Sequence, residues 1–171
     1  MKRTIGIGMA LAALWSGAAF AAGMLADGAA FPSWTLPDQT GKAVSSKDLA
    51  GKTYLLWFYP KAQTPGCTAE GRGLRDRIED FRKRGVEIVG VSFDPPEANE
   101  KFVAAEGFPF RLLSDQDRTL AQAVGAADSK DAPVARRISY LVGPEGQVKK
   151  AYGTVTPASH ASDVLGDLPA S

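Results

Sequence analysis

The sequence predicts an α/β domain, a mixed β-sheet flanked by helices and opened by a short β-hairpin. Three observations carry this reading. Apolar runs at 54–59, 86–93 and 138–142 are nearly continuous, as strands buried on both faces require. Between them lie charged stretches with apolar residues at helical spacing, and Gly or Pro marks the junctions. The resulting order, a hairpin, then β, α, β, α, β, α, then a β-hairpin and a helix, implies one mixed sheet covered by helices.

At the start of the chain, Lys2 and Arg3 precede an apolar run from Ile5 to Phe20, and Ala19-Phe20-Ala21 offers small residues at cleavage spacing. Residues 1–21 therefore read as a secretory signal peptide cut after Ala21. The alternative is an uncleaved membrane anchor, because the run approaches spanning length. Small residues before Gly23 and the absence of a basic stop-transfer flank favour cleavage, hence a periplasmic or secreted protein with no stable membrane association. Residues 22–30 are small and weakly patterned and read as a flexible lead-in to a single domain over 31–171.

Within that domain, Phe31, Trp34, Leu36 and Val44 flank the turn-rich Pro37-Asp38-Gln39-Thr40-Gly41, which predicts the opening hairpin. Ser46-Lys47-Asp48-Leu49 and Gly51-Lys52 then lead into the first buried strand, Tyr54 to Tyr59. Leu74, Ile78 and Phe81 recur at helical spacing, and Arg82-Lys83-Arg84 followed by Gly85 makes a cationic helix end with a glycine stop. Val86 to Phe93 is the next strand. Asp94-Pro95-Pro96 turns into a helix with Ala98, Phe102 and Ala105 on one face, ended by Gly107 and Pro109. Phe110 to Leu113 reads as a short strand and Asp115 to Val124 as a helix. Ile138 to Val142, the Gly143-Pro144-Glu145-Gly146 turn and Val148 to Tyr152 form a hairpin, and Ala161, Leu165 and Leu168 place a last helix.

The composition of the 171 residues, 44% hydrophobic and 23% charged, suits one domain with a substantial core. Loss of residues 1–21 takes Lys+Arg from 20 to 18 against 19 acidic residues, a formal charge of −1. A near-neutral domain without a basic stripe gives no electrostatic case for nucleic acid or an anionic membrane. The Gly143–Gly146 turn lacks the spacing of a phosphate loop. His160, the one histidine, has no partner ligands in sequence and is expected to be a solvated surface residue near the start of the last helix. No metal, nucleotide, flavin or haem is expected.

The chain has one cysteine, Cys67, in the string Pro60-Lys61-Ala62-Gln63-Thr64-Pro65-Gly66-Cys67, between a buried strand and a helix. A thiol at a helix start meets unpaired backbone N–H groups and the positive end of the dipole, and both favour thiolate. A lone cysteine is commonly a buried structural residue, but Pro, Thr, Pro and Gly here shape a loop rather than a core. Thr64 reads either as a plain N-cap with Pro65 at the first helical position or as a hydroxyl beside the nucleophile, and the two roles are compatible. Pro60, with no N–H, is a strand stop or an apolar shield over the sulfur. Arg137 precedes the strand 138–142. If that strand lies beside the one ending at Tyr59, its guanidinium reaches the sulfur; otherwise it is a surface arginine.

The segment Phe58-Tyr59-Pro60-Lys61-Ala62-Gln63-Thr64-Pro65-Gly66-Cys67-Thr68-Ala69-Glu70 resembles the active-site motif of peroxiredoxins, closest to the bacterioferritin comigratory protein and peroxiredoxin Q group. The resemblance runs from about Phe31 to about Leu168. It takes in Thr35-Leu36-Pro37-Asp38-Gln39, Leu74-Arg75-Asp76, Val89-Gly90-Val91-Ser92, Phe110-Arg111-Leu112-Leu113-Ser114-Asp115 and Arg137-Ile138-Ser139-Tyr140-Leu141-Val142. It implies a thioredoxin-like fold and a peroxidase acting on H2O2 or alkyl hydroperoxides through a sulfenic acid on Cys67. It also implies that Pro60 shields the site, Thr64 orients the peroxide and Arg137 stabilises developing charge, with Glu70 as supporting structure pairing with Arg75 or Lys61.

One departure stands out. Many members of this group carry a resolving cysteine five residues after the first, where this chain has Arg72. Arg72 either adds positive potential near the site or is a solvated helix residue. The resemblance is thus to a one-cysteine variant, resolved by an outside thiol such as a thioredoxin-like protein, a glutaredoxin or glutathione, and points to a monomer or weak dimer. Two rivals remain: a one-cysteine thiol-exchange protein, which lacks the Cys-x-x-Cys of dithiol exchange, and a non-enzymatic binding protein that retains the fold.

Overall fold

The structure, a computed structural model, describes residues 23–169, so the expected signal peptide lies outside the described residues. A two-stranded hairpin of β1 (Thr35–Pro37) and β2 (Ala43–Ser45) opens the domain, and a single 3-10 turn (Ser46–Leu49) follows. Then come β3 (Thr53–Phe58), α1 (Pro65–Asp76), α2 (Ile78–Lys83), β4 (Val86–Ser92), α3 (Pro96–Glu106), β5 (Arg111–Ser114) and α4 (Thr119–Ala123). The hairpin β6 (Ile138–Val142) and β7 (Val148–Tyr152), and α5 (His160–Asp167), complete it. The five-stranded sheet has the order β5-β4-β3-β6-β7. β3, β4 and β5 run parallel, whereas β6 lies antiparallel to β3 and β7 antiparallel to β6.

β3 explains why its sequence is apolar without alternation. Tyr54, Leu56 and Phe58 point into one core with Trp34, Val44, Leu120 and Val124 from the opening hairpin and the α4 region. Leu55, Trp57 and Tyr59 point into a second core with Cys67, Leu74, Phe81, Phe102 and Val164 from the helices of the other face. The two-residue period of the strand divides its side chains between two buried layers. As the middle strand it thus anchors α1, which starts seven residues after β3 ends.

Three expectations are corrected. The helical stretch after Cys67 is two helices, because Arg77 leaves helical geometry (φ −106°, ψ 12°), and the second brings Phe81 fully into the core. In α3 the buried face carries Asn99 and Phe102 while Ala105 is exposed; Asn99 is buried because its amide is hydrogen-bonded to Tyr59 and Ser114, a partnership that hydrophobic spacing does not reveal. The lead-in, expected to be flexible, is held in its described part. Gly28 N–H donates to the Val148 carbonyl at 2.7 Å, Leu25 N–H to the Tyr140 hydroxyl at 3.0 Å, and Ala151 N–H to the Asp27 carboxylate at 2.9 Å. The bonds to Val148 and from Ala151 cover β7, which would otherwise be a bare sheet edge.

Gly71 marks where α1 meets this core. A Cβ there would sit 2.4 Å from Phe108 Cζ and 3.1 Å from Trp57. Phe108 cannot easily yield, since it stacks on Phe110 and meets Phe102 edge-on. Gly to Ala inside a helix ordinarily stabilises by about 0.5–1 kcal/mol. Here overpacking reverses the sign, and Gly71→Ala should destabilise the protein by about 1–3 kcal/mol, seen as a lower urea midpoint with an unchanged m-value.

Candidate active site

α1 begins with Thr64 at the N-cap in extended geometry, Pro65 at the first helical position, then Gly66 and Cys67. The first helical hydrogen bond runs from Thr68 N–H to the Thr64 carbonyl at 2.8 Å. Proline has no N–H, so the amides of Gly66 and Cys67 are the first-turn donors without a helical acceptor. They and the dipole of a twelve-residue helix place positive potential at the Cys67 position. The sulfur is wholly within the protein, with Cys67 0% exposed.

The loop leading to this helix is fixed from behind. Ala62 N–H donates to the Asp94 carboxylate at 2.8 Å, which also accepts from the Ser92 hydroxyl at 2.9 Å. The Tyr59 hydroxyl donates to Asn99 at 2.7 Å, and burial pushes its pKa well above the ordinary range, so it stays a neutral donor. Gln63 adopts a left-handed conformation (φ 61°) as the chain turns into the helix. Pro60 stands half-buried at the head of this loop. The Thr64 hydroxyl does not cap the helix; it donates to the Lys61 carbonyl at 2.9 Å.

Arg137 arrives from the strand that neighbours β3. In the antiparallel pairing of β3 with β6, Phe58 faces Ile138. The residue before β6 therefore lies beside the chain leaving β3, and the Arg137 guanidinium reaches the sulfur, Nη2 donating to Cys67 Sγ at 3.4 Å. Its Nη1 donates to Glu70 Oε2 in a short ion pair. The guanidinium also lies against Gly66, where a Cβ would be 3.0 Å from Nη2. One cation thus serves two groups of α1, on the same helix face because they are three residues apart.

Glu70 is 0% exposed. Burial pushes its carboxyl up to about 7, against the opposing pull of Arg137 and the Trp57 indole. Neither Glu70 Oε1 nor Trp57 Nε1 completes a hydrogen bond. This corrects the expected pairing of Glu70: Arg75 instead bonds Asp76 and the Glu106 carbonyl, and Lys61 is exposed. Arg72 is the solvated alternative, its side chain 55% exposed and forked onto Glu106 at 2.6 and 3.2 Å.

His160 overturns its expected surface position: it is 1% exposed. It opens α5 four residues before the buried Val164, so both fall on the inward face, and its ring meets Tyr152 edge-on at 5.6 Å. Its Nε2 is 2.9 Å from the Ser139 hydroxyl and 3.8 Å from Glu70 Oε1. Burial, with a smaller push from Arg137, lowers its pKa to about 4, so the ring is neutral at pH 7. Sequence reasoning missed His160 and Ser139 as site residues; the i, i+4 spacing of His160 and Val164 was the available signal. Among the described residues no cluster of three His, Cys, Asp or Glu side chains is arranged to hold a metal ion.

Comparison with known proteins places the chain among similar ones. Residues 28–151 match the AhpC/TSA family. The chain is 36% identical over 142 residues to peroxiredoxin Bcp of Escherichia coli (strain K12), covering 80% of this chain and 91% of that protein. It superposes on the crystal structure of peroxidoxin BcpB from Mycobacterium tuberculosis with a TM-score of 0.76 at 29% identity, over 82% of this chain and 94% of the other. It also superposes on the bacterioferritin comigratory protein of Xanthomonas campestris, a structure that concerns alkyl peroxide reduction, with a TM-score of 0.71 at 33% identity, over 78% and 88% of the two chains.

The elevated pKa of Glu70 has a testable consequence. A carboxyl that rises from 4.5 to about 7 on folding keeps its proton in the native state where the unfolded chain gives it up. Its contribution to stability therefore falls as pH rises from about 4.5 to about 7. Glu70→Gln removes this term. Between pH 5 and pH 8 the variant should gain stability relative to the parent, by up to about 3 kcal/mol, measured as the difference between their urea unfolding free energies at the two pH values.

Proposed function

We infer that this chain, which belongs to the AhpC/TSA family and is a thiol-dependent peroxidase, works with a single cysteine and depends on an outside thiol for turnover. The observation that carries the reading is the Arg137 guanidinium, 3.4 Å from the sulfur of the only cysteine, at the start of a helix.

In the proposed reaction the Cys67 thiolate attacks the terminal peroxide oxygen. An S–O bond forms as the O–O bond breaks, and the sulfur loses two electrons to become a sulfenic acid. The peroxide takes them up and, with a proton from solvent, leaves as water or an alcohol. Arg137 and the free amides of the first turn are donors already aimed at the charge that develops, which lowers the barrier without reorganisation. Thr64, whose hydroxyl is held by one carbonyl and can rotate, orients the peroxide, and Pro60 shields the sulfur. Glu70 steadies Arg137.

With no second cysteine in the chain, an internal disulfide is impossible. An outside thiolate attacks the sulfenic sulfur, water leaves, and a second thiol reduces the mixed disulfide and restores Cys67. A thioredoxin-like protein, a glutaredoxin or a small thiol can perform these steps. The basic, apolar and small-residue pattern of residues 1–21 supports export to the periplasm or beyond, and the near-neutral charge of the remainder, with no basic stripe, supports a protein free of membrane; the family resemblance points to a monomer or weak dimer.

Treatment of the reduced protein with one equivalent of H2O2 should yield a sulfenic-acid probe adduct on Cys67, and peroxide consumption should require an added thiol. Cys67→Ser should lower consumption to the uncatalysed background with its circular dichroism unchanged. An adduct elsewhere, or wild-type turnover in the serine variant, would remove the reading.

A further inference from the structure

Four buried side-chain polar atoms among the described residues lack a hydrogen-bond partner, and two of them, Glu70 Oε1 and Trp57 Nε1, belong to the surroundings of one carboxyl. An uncompensated oxygen there is costly, and buried polar groups without partners are rare enough to need a reason. Besides Arg137 the carboxyl has two polar neighbours, the Trp57 indole and His160 Nε2, the latter 3.8 Å from Oε1. That ring is anchored on the Ser139 hydroxyl at 2.9 Å and on the edge of Tyr152. Glu70 in turn bonds Arg137, and Arg137 bonds the sulfur. These hydrogen bonds, with the 3.8 Å approach of His160 to Glu70 between them, run from α5 to Cys67.

We propose that His160 is a positioning residue for the peroxidase reaction: acting through Glu70, it keeps the Arg137 guanidinium against the Cys67 sulfur. This rests on the reading of Cys67 as the peroxide-reducing thiol. An imidazole suits the place because its Nε2 can donate to an ionised carboxylate or, in the other tautomer, accept from a protonated one. Burial raises the Glu70 carboxyl to about 7, so a neighbour that can meet either protonation state suits it. When the carboxyl is charged, the Nε2–H, 3.8 Å from Oε1, shares its single donor site between that oxygen and the Ser139 hydroxyl oxygen, which then accepts. The charged and titratable groups around the pair are Cys67 from α1, Arg137 before β6, Tyr152 from β7 and Asp163 from α5 itself, with Ser139 and Trp57 as neutral dipoles.

The test is a double-mutant cycle on the second-order rate constant of Cys67 with H2O2, measured by stopped flow between pH 5 and pH 9. His160→Leu keeps most of the ring's volume and removes Nε2. It should lower the rate constant about tenfold, the loss expected when a charged buried group is deprived of a partner, and move the near-neutral inflection of the profile to higher pH. His160→Gln, which can again place a polar atom near Glu70, should recover most of the rate. In a Glu70→Gln background, His160→Leu should add less than about a twofold loss, because its effect runs through that carboxyl. Should the leucine variant fail to fold, His160→Asn, polar but too short to reach Glu70, carries the same comparison. Equal losses with and without Glu70, an unmoved pH profile, or a wild-type rate in the leucine variant would overturn the proposal. A wild-type protein that reacts with peroxide no faster than free cysteine would instead remove the peroxidase reading beneath it.

Discussion

The site depends on one guanidinium that must be in two places. Arg137 bonds the Cys67 sulfur with one nitrogen and the Glu70 carboxyl with the other, a division that only a planar, forked cation can make. Much of the architecture serves that contact. The antiparallel register of β6 on β3 delivers Arg137 to the end of the central strand. The Tyr59, Asn99, Ser92 and Asp94 hydrogen bonds fix the loop that delivers Cys67. Gly66 gives the guanidinium room to lie against the helix. Loss of the first of these would separate cation and sulfur without altering any residue at the site.

Keeping ionisable groups in an apolar layer is expensive, and here the cost is spread over groups with opposite responses to pH. Burial raises Glu70 to about 7 and lowers His160 to about 4. For Glu70 the native state holds a proton that the unfolded state releases, so stability falls with rising pH from about 4.5 to about 7. For His160 the unfolded state binds the proton that the native state refuses, so stability rises between about 4 and 6.5. Across their common window the two slopes oppose each other, leaving the cluster's net contribution flatter than that of either group alone.

Most of the fold was legible because β3, β4 and β6 are buried on both faces and their sequences show it without ambiguity. Cys67 was legible because loop-forming residues on one side and helical spacing on the other left it at a helix start. Arg137 was legible only conditionally, since strand order is not written in local pattern; the pairing of Phe58 with Ile138 decides it. What stayed hidden were polar residues that are buried because of tertiary partners. Asn99, Glu70 and His160 each look like surface residues in sequence, and each is inside because another buried group meets it. The same limit applies to the lead-in, whose backbone bonds to β7 leave no mark on side-chain pattern.

The most direct measurement is the rate constant of Cys67 with H2O2 in Arg137→Met, a variant of similar reach with neither charge nor donors. If the guanidinium is what makes this sulfur reactive, the constant should fall by about 10²–10³, the loss typical of removing a preorganised transition-state donor, while circular dichroism shows the fold retained. A folded Arg137→Met protein that reacts within about threefold of the parent, far inside the range such a donor commands, would contradict the account.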